Sequence, residues 1–263
     1  MITILFDRAI RRSRLAFRLK HDSGSCLKKA PISALGRLTS RAAQACRRVA
    51  AVVAIAHLWF IGTTTLLVAC FAFVDPAATT LSVYRKYVDG WKIERPVRTD
   101  LESVPRLARR MLVSVEDSKF WTHPGFDLEA FERAYEVNKR IGRPMYGGST
   151  LTMQTARTLF LVPFKSYARK YLELIVAIEL EALLPKERIL ELYFGWAEWG
   201  KGVFGIEAAA RLYYGAPVSK LSPDKTARLM AVLSSPIRFT PKTLAKSALL
   251  SSRYEFLAAR YVR

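Results

Sequence analysis

A mainly α-helical domain behind one N-terminal membrane-spanning helix is the fold class this sequence predicts, and three observations predict it. Val49 to Val74 is a run of 26 residues without Asp, Glu, Lys or Arg, and about 20 apolar residues suffice to cross the hydrocarbon core. From about residue 101 onward, capping residues are followed by apolar residues at three- and four-residue spacing. Strand-like alternation is almost absent there, so any short strands are expected in the connector over residues 80–100.

The span reads as membrane rather than core because it lacks the polar stripe of a half-buried helix. It is too long, and lies too far along the chain, for a cleaved signal peptide. Residues 1–48 carry 12 Lys or Arg against Asp7 and Asp22. By the positive-inside rule this basic tail stays in the cytoplasm, and the chain after Val74 faces outward. The formal net charge of +20 calls for an anionic partner. Outside the membrane that partner is a phosphorylated lipid rather than nucleic acid. Cys26 and Cys46 fall in the tail and Cys70 in the span. The outward domain therefore needs no disulfide, and there is no zinc-ligand spacing.

Four parts follow: a basic cytoplasmic tail (1–48), the transmembrane helix (49–74), a connector (75–100) and a helical domain (101–263). The connector has turn signals at Asp75-Pro76, Asp89-Gly90 and Glu94-Arg95-Pro96. Ser103 and Pro105 precede a helix over 104–118 with Leu107, Met111, Leu112 and Val115 on its apolar side. Asp127 caps a helix from Leu128, Ser149 or Thr150 caps another, and Ser166 a third. Pro185 interrupts a long helical stretch, after which Ile189, Leu192 and Tyr193 continue the apolar pattern. Ser222-Pro223-Asp224 supplies a cap, a first-turn proline and a dipole-matched acid, and that helix stops near Ser234-Ser235-Pro236.

Four clusters could carry chemistry. "VEDSKFWTHPGF" puts Glu116 and Asp117 at a helix C-terminus beside Phe120 and Trp121. It is either a corner of a reaction site, where aromatics raise a carboxylate's pKa, or an ordinary solvated helix end. "GGSTLTMQTARTLFL" leads two glycines into a helix N-terminus, where backbone N–H groups bind anions. Thr150, Gln154 and Arg157 share one face of that helix. "RKYLE" sets Arg169 and Lys170 four and three residues before Glu173, a surface ion pair or, given the apolar run that follows, a partly desolvated carboxylate. "KERILELYFGWAEWGKGVFGIEAAA" is mostly packing, with Lys186 and Lys201 as candidate anion contacts.

Taken in this order the clusters resemble the peptidoglycan glycosyltransferases, glycosyltransferase family 51, and the layout resembles the monofunctional transglycosylases. The pattern Glu-Asp-x-x-Phe-x-x-His-x-Gly appears as Glu116, Asp117, Phe120, His123 and Gly125. Gly-Gly-Ser-Thr-x-Thr-Gln-Gln appears as Gly147 to Gln154, and Arg-Lys-x-x-Glu as Arg169, Lys170 and Glu173. Lys-x-x-Ile-Leu-x-x-Tyr appears as Lys186, Ile189, Leu190 and Tyr193, and the last pattern as Gly202, Gly205, Ala209 and Ala210. The resemblance covers about residues 90–245. The chain departs from it at Met153, Arg157, Thr158 and Gly195, where the family has Gln, Lys, Asn and Asn.

The resemblance implies a lysozyme-like domain on the periplasmic face of a bacterial inner membrane, polymerising lipid II with inversion and releasing undecaprenyl pyrophosphate. It implies Glu116 as the general base and Glu173 as a second carboxylate near the leaving pyrophosphate. Arg157, Arg169, Lys170 and a divalent metal, Mg or Mn, would offset the pyrophosphate's charge. Asp117, Phe120 and His123 would shape the first site. Ser149, Thr150, Gln154 and Lys186 would bind substrate. The hydrophobic connector residues Leu81, Val83, Tyr84, Val88 and Trp91 either dip into the membrane surface or pack in the ordinary way against the domain. The expected partners are lipid II, the growing lipid-linked glycan, the membrane and other cell-wall synthesis proteins, with no nucleic acid. The alternative is a catalytically weak or inactive lipid II-binding assembly protein.

Overall fold

The computed structural model describes residues 32–93, 96, 99–142 and 147–262, with side chains from residue 43. The expectations for residues 1–31 and the turn at Glu94-Arg95 lie outside the described residues. The chain divides into residues 1–55 and 56–263.

The first part is described from Ile32, where α1 (Ile32–Phe71) begins. Residues Ala43–Phe71 of α1 form the one stretch, among the described residues, long and apolar enough to cross a membrane. Val49, Val52, Val53 and Ile55 are exposed, which suits lipid and would be costly in water. The helix starts upstream of the predicted span and stops three residues short of its end. Asp75 precedes Pro76 and is held out of the α region, and the N–H groups of Phe73 and Val74 close the last turn on the Cys70 carbonyl.

In the second part α1 gains an inward stripe. Phe60, Thr64, Val68 and Phe71 recur at helical spacing, and Val68 is fully buried in the main core. The Thr64 hydroxyl donates back to the Phe60 carbonyl at 2.8 Å, so it adds no unpaired group to the core.

The connector corrects one expectation. It holds α2 (Thr80–Tyr87) rather than strands. Thr79 and Ser82 cap it reciprocally, each side chain accepting from the other's backbone N–H. The β structure among the described residues is instead a hairpin, β1 (Glu198–Gly200) and β2 (Val203–Phe204), antiparallel with Glu198 opposite Phe204. Its turn uses Gly202 at φ 72°, a conformation open to glycine at no steric cost.

The remaining helices follow the caps read from the sequence. Pro105, not Ser103, precedes α3 (Arg106–Glu116), because Ser103 belongs to a 3₁₀ turn. Asp127 caps α4 (Leu128–Ile141), Thr150 caps α5 (Leu151–Phe160) and Ser166 caps α6 (Tyr167–Leu183), each accepting a backbone N–H. Pro185 separates α6 from α7 (Lys186–Trp196). Then come α8 (Ile206–Tyr214), α9 (Pro223–Val232), capped by Ser222, and α10 (Ala248–Tyr261), capped by Ser247.

Helix α5 is the hub, packing on α2, α6 and α7, while α9 packs on α3 and α10. Leu151, Met153, Ala156 and Leu159 of α5 are buried beside Phe120, Phe194 and Trp199. This layering brings the end of α3, the start of α5 and one face each of α6 and α10 around a single cleft.

Candidate active site

Glu116 is the last residue of α3, and its side chain is 9% exposed. One carboxylate oxygen, Oε1, pairs with Arg253 of α10, and Oε2 accepts from Gln154 Nε2 at 3.2 Å. The Tyr193 hydroxyl donates to Gln154 Oε1 at 3.1 Å, which fixes the amide with its NH₂ toward Glu116. Burial, and then the Glu116 charge, push the Tyr193 phenol up, so it stays a donor.

Asp117 leaves the helical path and turns inward, 4% exposed. Its Oδ2 accepts from the Leu151 backbone N–H at 2.8 Å and meets His123 Nε2 at 2.8 Å. Gly125 N–H donates to His123 Nδ1, which sets the tautomer with the proton on Nε2. The Thr150 hydroxyl donates to the Gly125 carbonyl at 2.6 Å and accepts from Met153 N–H. The anion at the α5 N-terminus is the protein's own: Asp117 takes the Leu151 N–H, and Thr150 takes that of Met153. Asp117, His123 and Thr150 are buried scaffold that holds the loop under Glu116, and Phe120 is fully buried beside them.

Glu173 of α6 is 0% exposed, with one oxygen on Arg169 and the other on Lys170 Nζ at 2.7 Å. Lys170 also donates to Ser149 Oγ at 2.6 Å, tying α6 to the entry of α5. Burial pushes the Lys170 ammonium down against the opposing pull of Glu173. Of the two glycines, Gly148 is needed for packing, while a Cβ at Gly147 would meet nothing within 4 Å. A side chain at Gly148 would meet the Phe131 Cα at 2.7 Å.

Lys186, expected in the cleft, turns to Glu181 Oε1 and the His123 carbonyl, both at 2.7 Å, over the Phe120 ring. It braces the loop from behind. Lys201 sits over Trp91 of the connector. Of the connector residues expected at a membrane, Val83 and Val88 are exposed, while Leu81 is buried and Tyr84 packs on Phe164; Tyr87, not among them, is 73% exposed.

Arg157 stands apart. It is half-buried, and its side chain makes no hydrogen bond or ion pair with the described residues. It lines two cavities at once. One, of about 580 Å³, is walled by Glu116, Ser149, Gln154 and Arg253. The other, of about 270 Å³, is walled by Arg85, Lys165, Arg169 and Tyr193. The cleft thus has two lobes, with Gln154 and Arg157 on the wall common to both. Among the sites of departure, Met153 is buried and lines neither lobe, Thr158 lines the second, and Gly195 lines a separate cavity beside Phe73–Ala77.

The donor set does not suit a protein-held divalent ion. Both Glu173 oxygens are engaged by cations, and no three His, Cys, Asp or Glu side chains converge among the described residues. Arg253 and Tyr193 were not among the site residues expected from sequence. Arg253 is 137 residues from Glu116, and no local spacing marks it.

Fold and site together define a lysozyme-like helical domain built around two cation-held carboxylates, behind one helix able to span a membrane. The transglycosylase family model matches residues 85–261, and the chain belongs to that family. It is 48% identical over 131 residues to a biosynthetic peptidoglycan transglycosylase of Azoarcus sp. (strain BH72), covering 50% of this chain and 57% of that one. It is 44% identical over 177 residues to that of Burkholderia orbicola (64% and 71%), and 43% identical over 203 residues to that of Pseudomonas putida KT2440 (75% and 84%).

Proposed function

We propose that this protein is a membrane-anchored peptidoglycan glycosyltransferase that polymerises lipid II into β-1,4-linked glycan and releases undecaprenyl pyrophosphate. The observation that carries the reading is Arg157, a half-buried guanidinium with no described partner on the wall between two lobes. A free cation in a cleft is suited to a lipid-linked pyrophosphate, whereas cleavage of a neutral glycan needs none. The names of the relatives support the same substrate class.

Glu116 takes the proton from the acceptor's 4-hydroxyl as that oxygen bonds to C1 of the donor sugar. The C1–oxygen bond to pyrophosphate breaks from the opposite face, and the electron pair leaves with the pyrophosphate, so the sugar inverts. Arg157, Arg169 and Lys170 offset the charge gathering on the leaving group. Gln154 orients Glu116 from the wall of the cleft. The basic tail supports a cytoplasmic N-terminus and a periplasmic domain at the inner membrane. Exposed Phe73, Val74, Val83, Tyr87 and Val88 just past the span support contact with the bilayer surface.

The test is lipid II polymerisation by the detergent-solubilised full-length chain. Wild type should make polymer, and Glu116→Gln should lose at least about a hundredfold in rate, the lower bound for a general base. Lipid II binding without polymer from wild type would turn the reading to a non-catalytic assembly role.

A further inference from the structure

Each oxygen of Glu116 accepts one bond, Oε1 from Arg253 and Oε2 from Gln154. Each oxygen then keeps one lone pair for an incoming hydroxyl, and that on Oε1 is crowded by the guanidinium. Gln154 is fixed by Tyr193 at its other end, so it is the less movable partner. Arg253 is differently placed. Its guanidinium has five N–H donors, yet its Nε is buried without a hydrogen-bond partner, and its one side-chain bond among the described residues is the Nη2 contact to Glu116. The side chain is 17% exposed and lines the 580 Å³ lobe together with Arg157.

We propose that Arg253 is a substrate-exchanged positioning residue. It pairs with Glu116 across α3 and α10. When the acceptor enters the larger lobe, its phosphate group draws the guanidinium away and frees an oxygen of Glu116 for the attacking hydroxyl. This rests on the transferase reading above. The exchange is favourable in kind because a phosphate accepts two parallel N–H bonds from a guanidinium fork, more than the single nitrogen now engaged. Acceptor binding and the Glu116–Arg253 pair therefore compete, and the two must be linked thermodynamically. Oε1 of Glu116 is then fully open to a hydroxyl only where an acceptor is in place.

The test is a double-mutant cycle on lipid II binding by the full-length protein in detergent micelles, with Glu116→Gln, Arg253→Gln and the pair combined. Glu116→Gln removes the charge that holds Arg253, so it should tighten binding by about tenfold, within the range for coupled neighbours. Arg253→Gln should weaken binding, and adding Glu116→Gln to it should then give no tightening. In polymerisation assays Arg253→Gln should raise KM by about tenfold with kcat within about threefold, and Arg253→Lys should restore part of KM. A residue that merely pins α10 to α3 would lower kcat and the melting temperature and leave KM alone, which would overturn the proposal. So would an equal effect of Glu116→Gln with and without Arg253. Wild type that binds lipid II but makes no polymer sinks the transferase reading instead, and the binding cycle still decides the exchange.

Discussion

Asp117→Asn separates scaffold from chemistry. In the native protein Oδ2 accepts two hydrogen bonds, from Leu151 N–H and His123 Nε2–H, each at 2.8 Å. A charged acceptor contributes about 1.5–3 kcal/mol per bond and a neutral one about 0.5–1.5. Asparagine can set its carbonyl in the same place, so it keeps both bonds and loses about 1 kcal/mol on each. The carboxylate also faces the first turn of α5, and losing that charge costs roughly 0.3–1 kcal/mol more. The sum is about 2–3 kcal/mol, or a fall in melting temperature of roughly 4–12 °C for a unit of this size. Asp117→Ala would leave both donors buried and unpaired and should cost more. The damage should reach catalysis indirectly. His123 fixes Gly125, Gly125 accepts from Thr150, and the loop so held follows directly on Glu116. The assay is thermal unfolding of the detergent-solubilised full-length chain by circular dichroism, beside polymerisation on the same preparation. A variant that melts within about 1 °C of wild type while losing activity would refute the scaffold assignment and make Asp117 a group that acts on substrate.

Two pH effects follow from the shifted groups. Burial holds the Lys170 ammonium below the usual lysine range, so in the folded protein it discharges at a lower pH than an ordinary lysine. The alkaline limb of kcat/KM should therefore move to higher pH in Lys170→Arg, which stays charged throughout, and coincident limbs would refute a role for that charge. At the α9–α10 contact, hydrogen bonds from Arg228 and Tyr254 (the latter at 2.5 Å) hold the Asp224 carboxyl below its ordinary value. A depressed carboxyl contributes stability that is present above its unfolded pKa and lost as pH falls through the folded one. Tyr254→Phe should cost under about 1 kcal/mol near neutral pH, a figure already discounted for the exposure of Asp224. The difference from wild type should vanish in acid, as thermal melts across a pH series would report.

The caps were legible because a cap is a contact within four residues. Asp127, Ser166 and Ser222 start the helices that the sequence assigns to them, and the choice between Ser149 and Thr150 falls to Thr150. The connector was not, because its pattern fits two periods. Val83, Tyr84, Tyr87, Val88 and Trp91 are the residue types of a strand, but the adjacent Leu81 and Ser82 are both buried, against strand alternation, and Thr79 caps with a serine partner rather than the usual Glu or Gln. The hairpin at Glu198–Phe204 is short enough for its glycines to read as a loop.

The site divides along the same line. Arg169, Lys170 and Glu173 are neighbours on one helix, so their spacing predicts their contact. Glu116 with Arg253, Lys186 with the His123 carbonyl, and Asp117 with the first turn of α5 are contacts the fold creates. These distant pairings change what the charge means. A net charge of +20 suggests a strongly positive cleft, but Arg169 and Lys170 are held by Glu173, Arg253 by Glu116 and Lys186 by Glu181. Among the described residues, Arg157 on the shared wall and exposed Lys165 in the second lobe are cleft cations that no described carboxylate holds. On the exchange proposed above, an anionic substrate would meet Arg157 and Lys165 first and gain further cations by drawing them off carboxylates. The field at the leaving group, and the freedom of Glu116 to act, are then both set by what is bound rather than by the resting protein.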